Sequence, residues 1–216
     1  MAITLYQTDI RILASQEQEW TKRLTQERRA KTERYRGREA RLRSLAAGLL
    51  LDRVFGKRAV EICHNEFGKP FLEGGPFFNL SHSGNRVVLA VNSSKQIGCD
   101  IQQWQDIHPK LIVKHFFHPK EYDLYQKTAE PDRQAVFYRI WTLKESYLKM
   151  IGKGFSFPPD RFRFELIPTI RIMELPVTNP SPFFSLSETK DGYTLAICSL
   201  SNLDEIHRIE ITDWNK

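Results

Sequence analysis

The side chains best suited to chemistry lie in the segment FYRIWTLKESYLKMIGKG, which runs from residue 137 to residue 154. Trp141, Glu145 and Lys149 recur at every fourth position, and Lys144 lies beside them. On a helix these side chains share one stripe, where an exposed Glu–Lys pair contributes only roughly a few tenths of a kcal/mol. The rest of this helix is largely apolar or aromatic, so we expect it to be buried. A buried acid and base need partners or a bound ion.

A second candidate stretch, IGCDIQ, ends a predicted strand and carries Asp100. Because side chains alternate along a strand, Asp100 and Gln102 face the same side, and Gly98 allows another element to approach closely. A carboxylate here that meets a second carboxylate from a helix suits Mg²⁺, which uses one or two carboxylates together with substrate phosphates. Strand-end aspartates also cap turns, so both uses stay open for Asp100 taken alone.

A third stretch, FNLSHSG, places Ser81 and His82 where a predicted strand turns. Neighbouring strand residues point to opposite faces, so adjacency does not make them part of a catalytic triad. A hydroxyl, an imidazole and turn amides suit phosphate binding better. Lys69, between Gly68 and Pro70, lies on a stiff turn that could direct an ammonium to the same phosphate. The usual nucleotide-binding patterns GxxxxGK[ST] and GxGxxG do not occur in the sequence.

Basic residues concentrate in one run, RRAKTERYRGREARLR, from residue 28 to residue 43. Its eight bases and two acids account for a charge of +6, which is also the net charge of the whole chain. Such a run is either a solvated helix face or a surface for a phosphate-bearing ligand, an acidic protein partner or nucleic acid.

The composition is that of a soluble globular protein, with 216 residues, 41% hydrophobic and 27% charged. No apolar run is long enough for a membrane span and the N-terminus does not resemble a leader peptide, so we expect a cytoplasmic protein without a membrane partner. The three cysteines show no zinc-type pairing and are expected to be buried apolar residues.

Periodicity and turn residues predict the order of the elements along the chain: strands, then helices, then strands, then helices, then strands. The pattern is used twice: residues 77–91 and 183–197 are identical at six of fifteen positions, at a constant offset of 106. This repeat predicts an α+β fold built as a pseudodimer of two similar α+β halves, residues 1–104 and 105–216. A cleft between the halves is the expected ligand site.

The motifs GKP, FNLSHSG, IGCDI, FFHPKEY and WTLKESYLK, in this order, resemble those of the 4′-phosphopantetheinyl transferases of the surfactin-synthetase type. The resemblance spans approximately residues 28–164 and implies a monomeric enzyme with this pseudodimeric fold. The implied reaction transfers the phosphopantetheine arm of coenzyme A to a serine of an acyl- or peptidyl-carrier protein and releases adenosine 3′,5′-bisphosphate, with Mg²⁺ as cofactor.

Residue roles follow from the resemblance by motif position. Glu145 and Lys149 would be catalytic, and the metal ligands would be Asp100, Glu145 and Gln102. Gln102 is a departure, because many members carry an acid there. Coenzyme A would be bound by residues of the basic run and of the three motifs, namely Arg36, Arg43, Ser44, Lys69, Ser81, His82 and Lys149.

Two rival functions belong to other classes. A nucleic-acid-binding module would use the basic run but would leave Asp100, Glu145 and Lys149 without a role. A catalytically inactive relative would bind a carrier protein without modifying it. Within the family-based interpretation, the aromatic residues Phe116, Phe117 and Tyr122, with Lys114 and Lys120, form either a carrier-docking surface or ordinary core.

Overall fold

The computed structural model describes residues 3–106, 109–174 and 181–215. The first part of the chain forms a strand, three helices and then a series of strands. The strands are β1 (Ile3–Asp9), β2 (Cys63–His64), β3 (Pro70–Phe71), β4 (Phe77–Ser83) and β5 (Arg86–Asn92). The helices are α1 (Glu17–Arg23), α2 (Gln26–Glu33) and α3 (Arg38–Phe55).

The second part repeats this order. A strand, β6 (Ile97–Gln103), precedes the helices α4 (Lys110–Phe116), α5 (Pro119–Lys127) and α6 (Glu130–Ile151). The remaining strands are β7 (Arg163–Glu165), β8 (Arg171–Met173), β9 (Phe183–Glu188), β10 (Tyr193–Ser199) and β11 (Ile206–Ile211). No helix in the described ranges is long and apolar enough to cross a membrane.

The two main sheets have matching topology. The first has the order β11-β1-β5-β4 and the second β6-β10-β9, with antiparallel pairing of β1 to β5, β5 to β4, β6 to β10 and β10 to β9. In each half the long helix, α3 or α6, lies between the first strand and the hairpin. The expected α+β pseudodimer is therefore confirmed.

The repeat is not ungapped through the turn, as the sequence comparison suggested. Phe77 pairs with Asn92 and Phe183 with Ser199, so the offset is 106 in the first strand and 107 in the second. A two-residue turn at Gly84–Asn85 in one hairpin corresponds to a longer loop in the other. Leu89 and Leu195, matched in sequence, consequently lie in different core clusters.

Apolar layers join each long helix to its own sheet and the two sheets to each other. Leu42, Leu45 and Leu49 of α3 pack on the outer face of the first sheet. The inner faces of the two sheets pack on each other through residues of β1, β5, β6 and β10. Residues of α6, including Leu143 and Tyr147, cover the outer face of the second sheet. Alternating burial along the strands thus serves two layers at once.

Several elements differ from expectation. The segment before β3 forms a 3₁₀ turn (Gly56–Glu61) followed by the short β2. Cys63, expected to be buried, is therefore exposed, whereas Cys99 and Cys198 are buried as expected. The strand β11 was not predicted; it pairs in parallel with β1 and returns the chain to the first sheet. Hydrogen bonds place β6 in the second sheet, so a division at residues 104–105 cuts after this strand instead of before it.

Candidate active site

Helix α6 and strand β6 approach each other unusually closely at Gly98. A β-carbon at this position would lie 2.1 Å from the Ser146 carbonyl oxygen and 2.4 Å from the Met150 nitrogen, which no side chain could tolerate. The expected role of Gly98 is thus confirmed. The close approach brings Asp100 of β6 next to Lys149 of α6.

Asp100 is the centre of a polar network. Its Oδ1 accepts hydrogen bonds from Ser81 Oγ at 2.8 Å and from Lys149 Nζ at 2.5 Å. Its Oδ2 accepts from Gln102 Nε2 at 2.9 Å, which confirms that Asp100 and Gln102 face the same side. Asp100 itself lies in the middle of β6, buried, and not at the strand end as expected.

Glu145 lies within the electrostatic reach of this network. Burial raises the pKa of its carboxyl group to about 7, with a contribution from the negative charge of Asp100, while Lys149 opposes the shift. A carboxyl group with a pKa near neutrality can exchange a proton at physiological pH.

Lys149 is held in its charged form. Burial lowers the pKa of its ammonium group, but the carboxylates Asp100 and Glu145 raise it by more, so the net shift is upward. Lys149 Nζ also donates to Ser81 Oγ at 3.0 Å. The site therefore contains a permanent cation between two acids.

Lys144, adjacent to Glu145 in sequence, points away from this network. It is fully buried and its Nζ lies 2.7 Å from Glu121 Oε2, and it also donates to the carbonyls of Pro159 and Phe162. Glu121 in turn accepts from the backbone N–H of Phe164. This buried pair ties α6 to α5 and to the chain after α6, so Lys144 has a structural role.

A cleft of about 600 Å³ opens over Asp100, Glu145 and Lys149. Both halves contribute to its walls, as the pseudodimer predicted. The polar residues that line it are Arg28, Lys31, Arg43, Ser44, His64, Ser81, His82, Asp100, Gln102, Glu145 and Lys149. Trp141 lines the cleft too, and its ring stacks on Phe137 and Phe155.

The cations that line the cleft include two residues that were not singled out from the sequence. Arg28 and Lys31 lie one turn apart on α2 and join Arg43 of α3. Loss of hydration lowers the pKa of Arg28, and the same effect, with the charge of Arg28 nearby, lowers that of Lys31. Cations that lose hydration beside other cations favour an anionic ligand. Their i, i+3 spacing was the available signal.

Of the other residues of this region that were expected to bind coenzyme A, some line the cleft and one does not. Ser44 lines the cleft and its hydroxyl lies 2.9 Å from that of Thr32, while Arg43 is oriented by a 2.9 Å bond to the Gly84 carbonyl. His82 lies beside Arg43, and desolvation together with that charge lowers its pKa. Arg36 is exposed in the turn before α3 and is not among the residues that line the cleft.

Lys69 departs from the sequence-based expectation of a phosphate ligand. Its Nζ donates to the carbonyl oxygens of Ile97 at 3.2 Å and Met150 at 2.7 Å, away from the large cleft. Its neighbours Gly68 and Pro70 do line the cleft. The GKP turn therefore borders the ligand space with its backbone, while the lysine side chain is directed into the protein.

Other members of the basic run are structural and not merely solvated. Arg29 donates to the carbonyls of Thr21 and Lys22 at the end of α1. Arg38 and Arg41 both pair with Glu17. The run is thus divided between the cleft and internal contacts and does not present one continuous basic face.

The residues present fit a magnesium ion, although they offer few charged ligands. Among residues 3–106, 109–174 and 181–215, no group of three or more His, Cys, Asp and Glu side chains could hold a metal. The cleft offers two carboxylates, Asp100 and Glu145, and the amide oxygen of Gln102. The mutual repulsion that helps to raise the pKa of Glu145 is what a bound cation would relieve. Oxygen donors and open space for substrate phosphates match the needs of Mg²⁺.

Comparisons with known proteins agree on one family. The family model of the 4′-phosphopantetheinyl transferase superfamily matches residues 96–198. A 4′-phosphopantetheinyl transferase of Bacillus subtilis is 34% identical in an alignment of 199 residues, which covers 86% of this chain and 86% of the relative. The 4′-phosphopantetheinyl transferase Sfp of Bacillus subtilis strain 168 is 33% identical over 186 residues, covering 82% of each chain.

Among solved structures, a holo-(acyl-carrier-protein) synthase of Bacillus anthracis, in complex with CoA (3′,5′-ADP), superposes with a TM-score of 0.41 at 14% identity. The match covers 48% of this chain and 93% of the synthase. Sequence similarity over most of two full-length relatives is the decisive finding. This chain belongs to the 4′-phosphopantetheinyl transferase superfamily and is an enzyme of that class.

Proposed function

We propose that this protein transfers the 4′-phosphopantetheine arm of coenzyme A to a serine of an apo acyl- or peptidyl-carrier protein in a Mg²⁺-dependent reaction, releasing adenosine 3′,5′-bisphosphate. The observation that carries the proposal is a single cleft whose lining combines the cations Arg28, Lys31 and Arg43 with the Asp100–Glu145–Lys149 group. A ligand that carries both a nucleotide phosphate and a pyrophosphate offers anionic groups for such a cleft.

Two groups of the cleft perform the chemistry. Glu145 takes the proton of the carrier serine, directly or through a water. The serine oxygen then bonds to the β-phosphorus of coenzyme A, and the bond from that phosphorus to the bridging oxygen breaks. Lys149 stabilises the charge on the departing bisphosphate.

The other residues position these groups. Asp100 and Ser81 hold the ammonium of Lys149 through the contacts described above. When bound by the oxygen donors Asp100, Glu145 and Gln102, Mg²⁺ would neutralise negative charge on the pyrophosphate. Orientation and electrostatics supply most of the catalysis in such transfers.

The nucleotide part of coenzyme A would be bound by cations that line the cleft. Arg28, Lys31 and Arg43 form the proposed pocket for the 3′-phosphate, and Ser44 and His82 border it. Arg36 would reach the ligand only if the turn that carries it moved, so we assign it no contact in this arrangement.

The carrier protein would approach beside Trp141. Phe116 and Phe155 pack around this tryptophan, and Phe155 and Tyr122 are exposed. Phe117 is buried against Phe137 and belongs to the core, so only part of the aromatic set is available for docking. A monomeric enzyme in the cytoplasm remains our prediction.

The decisive experiment is incubation of the protein with coenzyme A, Mg²⁺ and an apo carrier protein, followed by intact-mass measurement of the carrier. We expect the carrier to gain the mass of one phosphopantetheine, and no gain without Mg²⁺. Carrier binding without a mass gain would identify an inactive relative. Neither binding nor mass gain, with salt-sensitive binding to random DNA, would support the nucleic-acid alternative.

A further inference from the structure

The loop NEFGKP, residues 65–70, reaches from the first half of the molecule to the end of α6 in the second half. Asn65 Nδ2 donates to the Gly152 carbonyl at 2.8 Å. Lys69 Nζ donates to the carbonyls of Met150 and Ile97 at 2.7 Å and 3.2 Å. Three backbone acceptors of the second half are thus satisfied by a loop of the first.

Two of these acceptors lie at the C-terminal end of α6: Met150 is in its last turn and Gly152 caps it. Carbonyls in the final turn of a helix lack a partner within the helix, and the negative end of the helix dipole lies there. The ammonium of Lys69 therefore suits this turn electrostatically as well as through its hydrogen bond. At Gly152, a β-carbon would lie 2.9 Å from Lys69 Cδ and 3.1 Å from Asn65 Nδ2, so the loop leaves no room for a side chain.

The third acceptor connects the loop to the other catalytic element. Ile97 begins β6, three residues before Asp100, whereas Met150 directly follows Lys149 on α6. A single ammonium group therefore bonds to both elements that carry the proposed catalytic groups. Its two acceptors lie at the point where Gly98 already presses against the backbone of Met150.

We propose that Lys69 is a positioning residue that fixes the last turn of α6 against β6, and so sets the distance between Asp100 and the pair Glu145 and Lys149. This inference rests on the proposed function only for the identity of the reaction. It replaces the role expected from sequence, in which the ammonium would contact the nucleotide. Half-burial of Lys69 and the direction of its Nζ both favour the positioning role.

The two roles predict different kinetic changes for Lys69→Met, which keeps the apolar stem and removes the ammonium. A positioning role predicts a loss in kcat of about ten- to a hundredfold, because misplacement of reacting groups by about 1 Å has effects of this order. It also predicts a higher Mg²⁺ concentration for half-maximal binding in calorimetry, since the spacing of Asp100 and Glu145 is disturbed. The preference for coenzyme A over 3′-dephospho-coenzyme A should not change.

A nucleotide-ligand role predicts the opposite pattern for Lys69→Met. The KM for coenzyme A would rise and its preference over the 3′-dephospho form would fall, with kcat and Mg²⁺ binding unchanged; this result would overturn the proposal. Lys69→Gln, which keeps a neutral donor at a shorter reach, should recover part of kcat. It remains informative if the Met variant does not fold.

The matched control is Lys95→Met, which removes an exposed ammonium two residues before Ile97. It should behave as wild type in both assays. If the wild-type protein transfers nothing, the proposed function fails. Calorimetric binding of Mg²⁺ and coenzyme A by the same variants still tests the positioning role of Lys69. That role would be refuted if both Lys69 variants bound Mg²⁺ as the wild type does and had its kcat.

Discussion

Glu145 is a cleft acid whose surroundings disfavour its charged form. Its carboxyl group ionises near pH 7 because burial and the charge of Asp100 oppose the anion. Lys149 offsets only part of this cost. Acid and base in one helical stripe therefore form a strained electrostatic arrangement and not a simple stabilising pair.

Glu145→Gln should keep the fold and lose about 10²- to 10⁴-fold in transfer rate, because a neutral amide cannot accept the serine proton. The difference in stability between this variant and the wild type should also depend on pH, in a defined direction. The folded-state pKa lies above the ordinary value of 4.5, so ionisation destabilises the wild type as pH rises from 4.5 to about 7. Thermal unfolding at pH 5 and pH 8 should show a larger gain for the variant at pH 8. Unfolding of the variant, or full activity, would contradict this assignment.

Substitutions at Gln102 test the proposed metal site. Its amide is neutral, so free enzyme should bind Mg²⁺ weakly and bind it clearly once coenzyme A supplies pyrophosphate oxygens. Gln102→Glu should tighten Mg²⁺ binding without substrate and change turnover less. Calorimetric titration with and without coenzyme A measures Mg²⁺ binding, and the transfer assay measures turnover. Asp100→Asn should instead abolish activity; an active Asp100→Asn variant together with an inactive Gln102→Ala variant would show that the principal ligand was assigned to the wrong residue.

Among the elements, the contact between α6 and β6 positions most of the proposed chemistry. Gly98→Ala should lower the free energy of unfolding by at least about 1–3 kcal/mol, because its β-carbon would overlap backbone atoms that cannot rotate away. Gly37→Ala is the control, since a β-carbon there meets no atom within 4 Å. Urea denaturation of both variants measures the difference. Equal stabilities would show that α6 can move away from β6 freely.

Helices α2 and α3 define the proposed 3′-phosphate pocket. Arg43→Ala should reduce the preference for coenzyme A over its 3′-dephospho form, since the lost cation faces the cleft. Arg34→Ala, which removes an exposed charge from the same run, should leave the preference unchanged. The measured quantity is the ratio of kcat/KM for the two substrates. Equal use of both substrates by wild type would exclude a 3′-phosphate pocket here.

At the scale of the whole molecule, the halves share one inner core layer, and β11 from the end of the chain joins the sheet of the first half. Separate unfolding would expose the apolar inner faces of both sheets to water, so we expect one cooperative transition. Variants that retain only Trp20 or only Trp141 report on the first and second half. Their urea midpoints should coincide; separated midpoints would show that each half is stable alone.

The sequence by itself determined the family, the two-fold pattern and the main reactive groups. Periodicity located α3, α6 and the hairpin strands, because their apolar spacing is strict and their ends carry Gly or Pro. The two-residue spacing of Asp100 and Gln102 along a strand also sufficed to place their side chains on the same side. These properties are local in the chain.

Tertiary structure decided what depended on distant partners. The sequence marked Lys69 and Lys144 as chemically competent, but only the fold shows that backbone carbonyls and Glu121 engage their ammonium groups. Arg28 and Lys31 became cleft residues, and Arg29 a structural one, because α2 packs with one face toward the cleft and another toward α1. A charge in sequence has no assigned partner until packing brings one within hydrogen-bond distance. The partners of these lysines and arginines were therefore set by the tertiary structure and not by the motif in which each one lies.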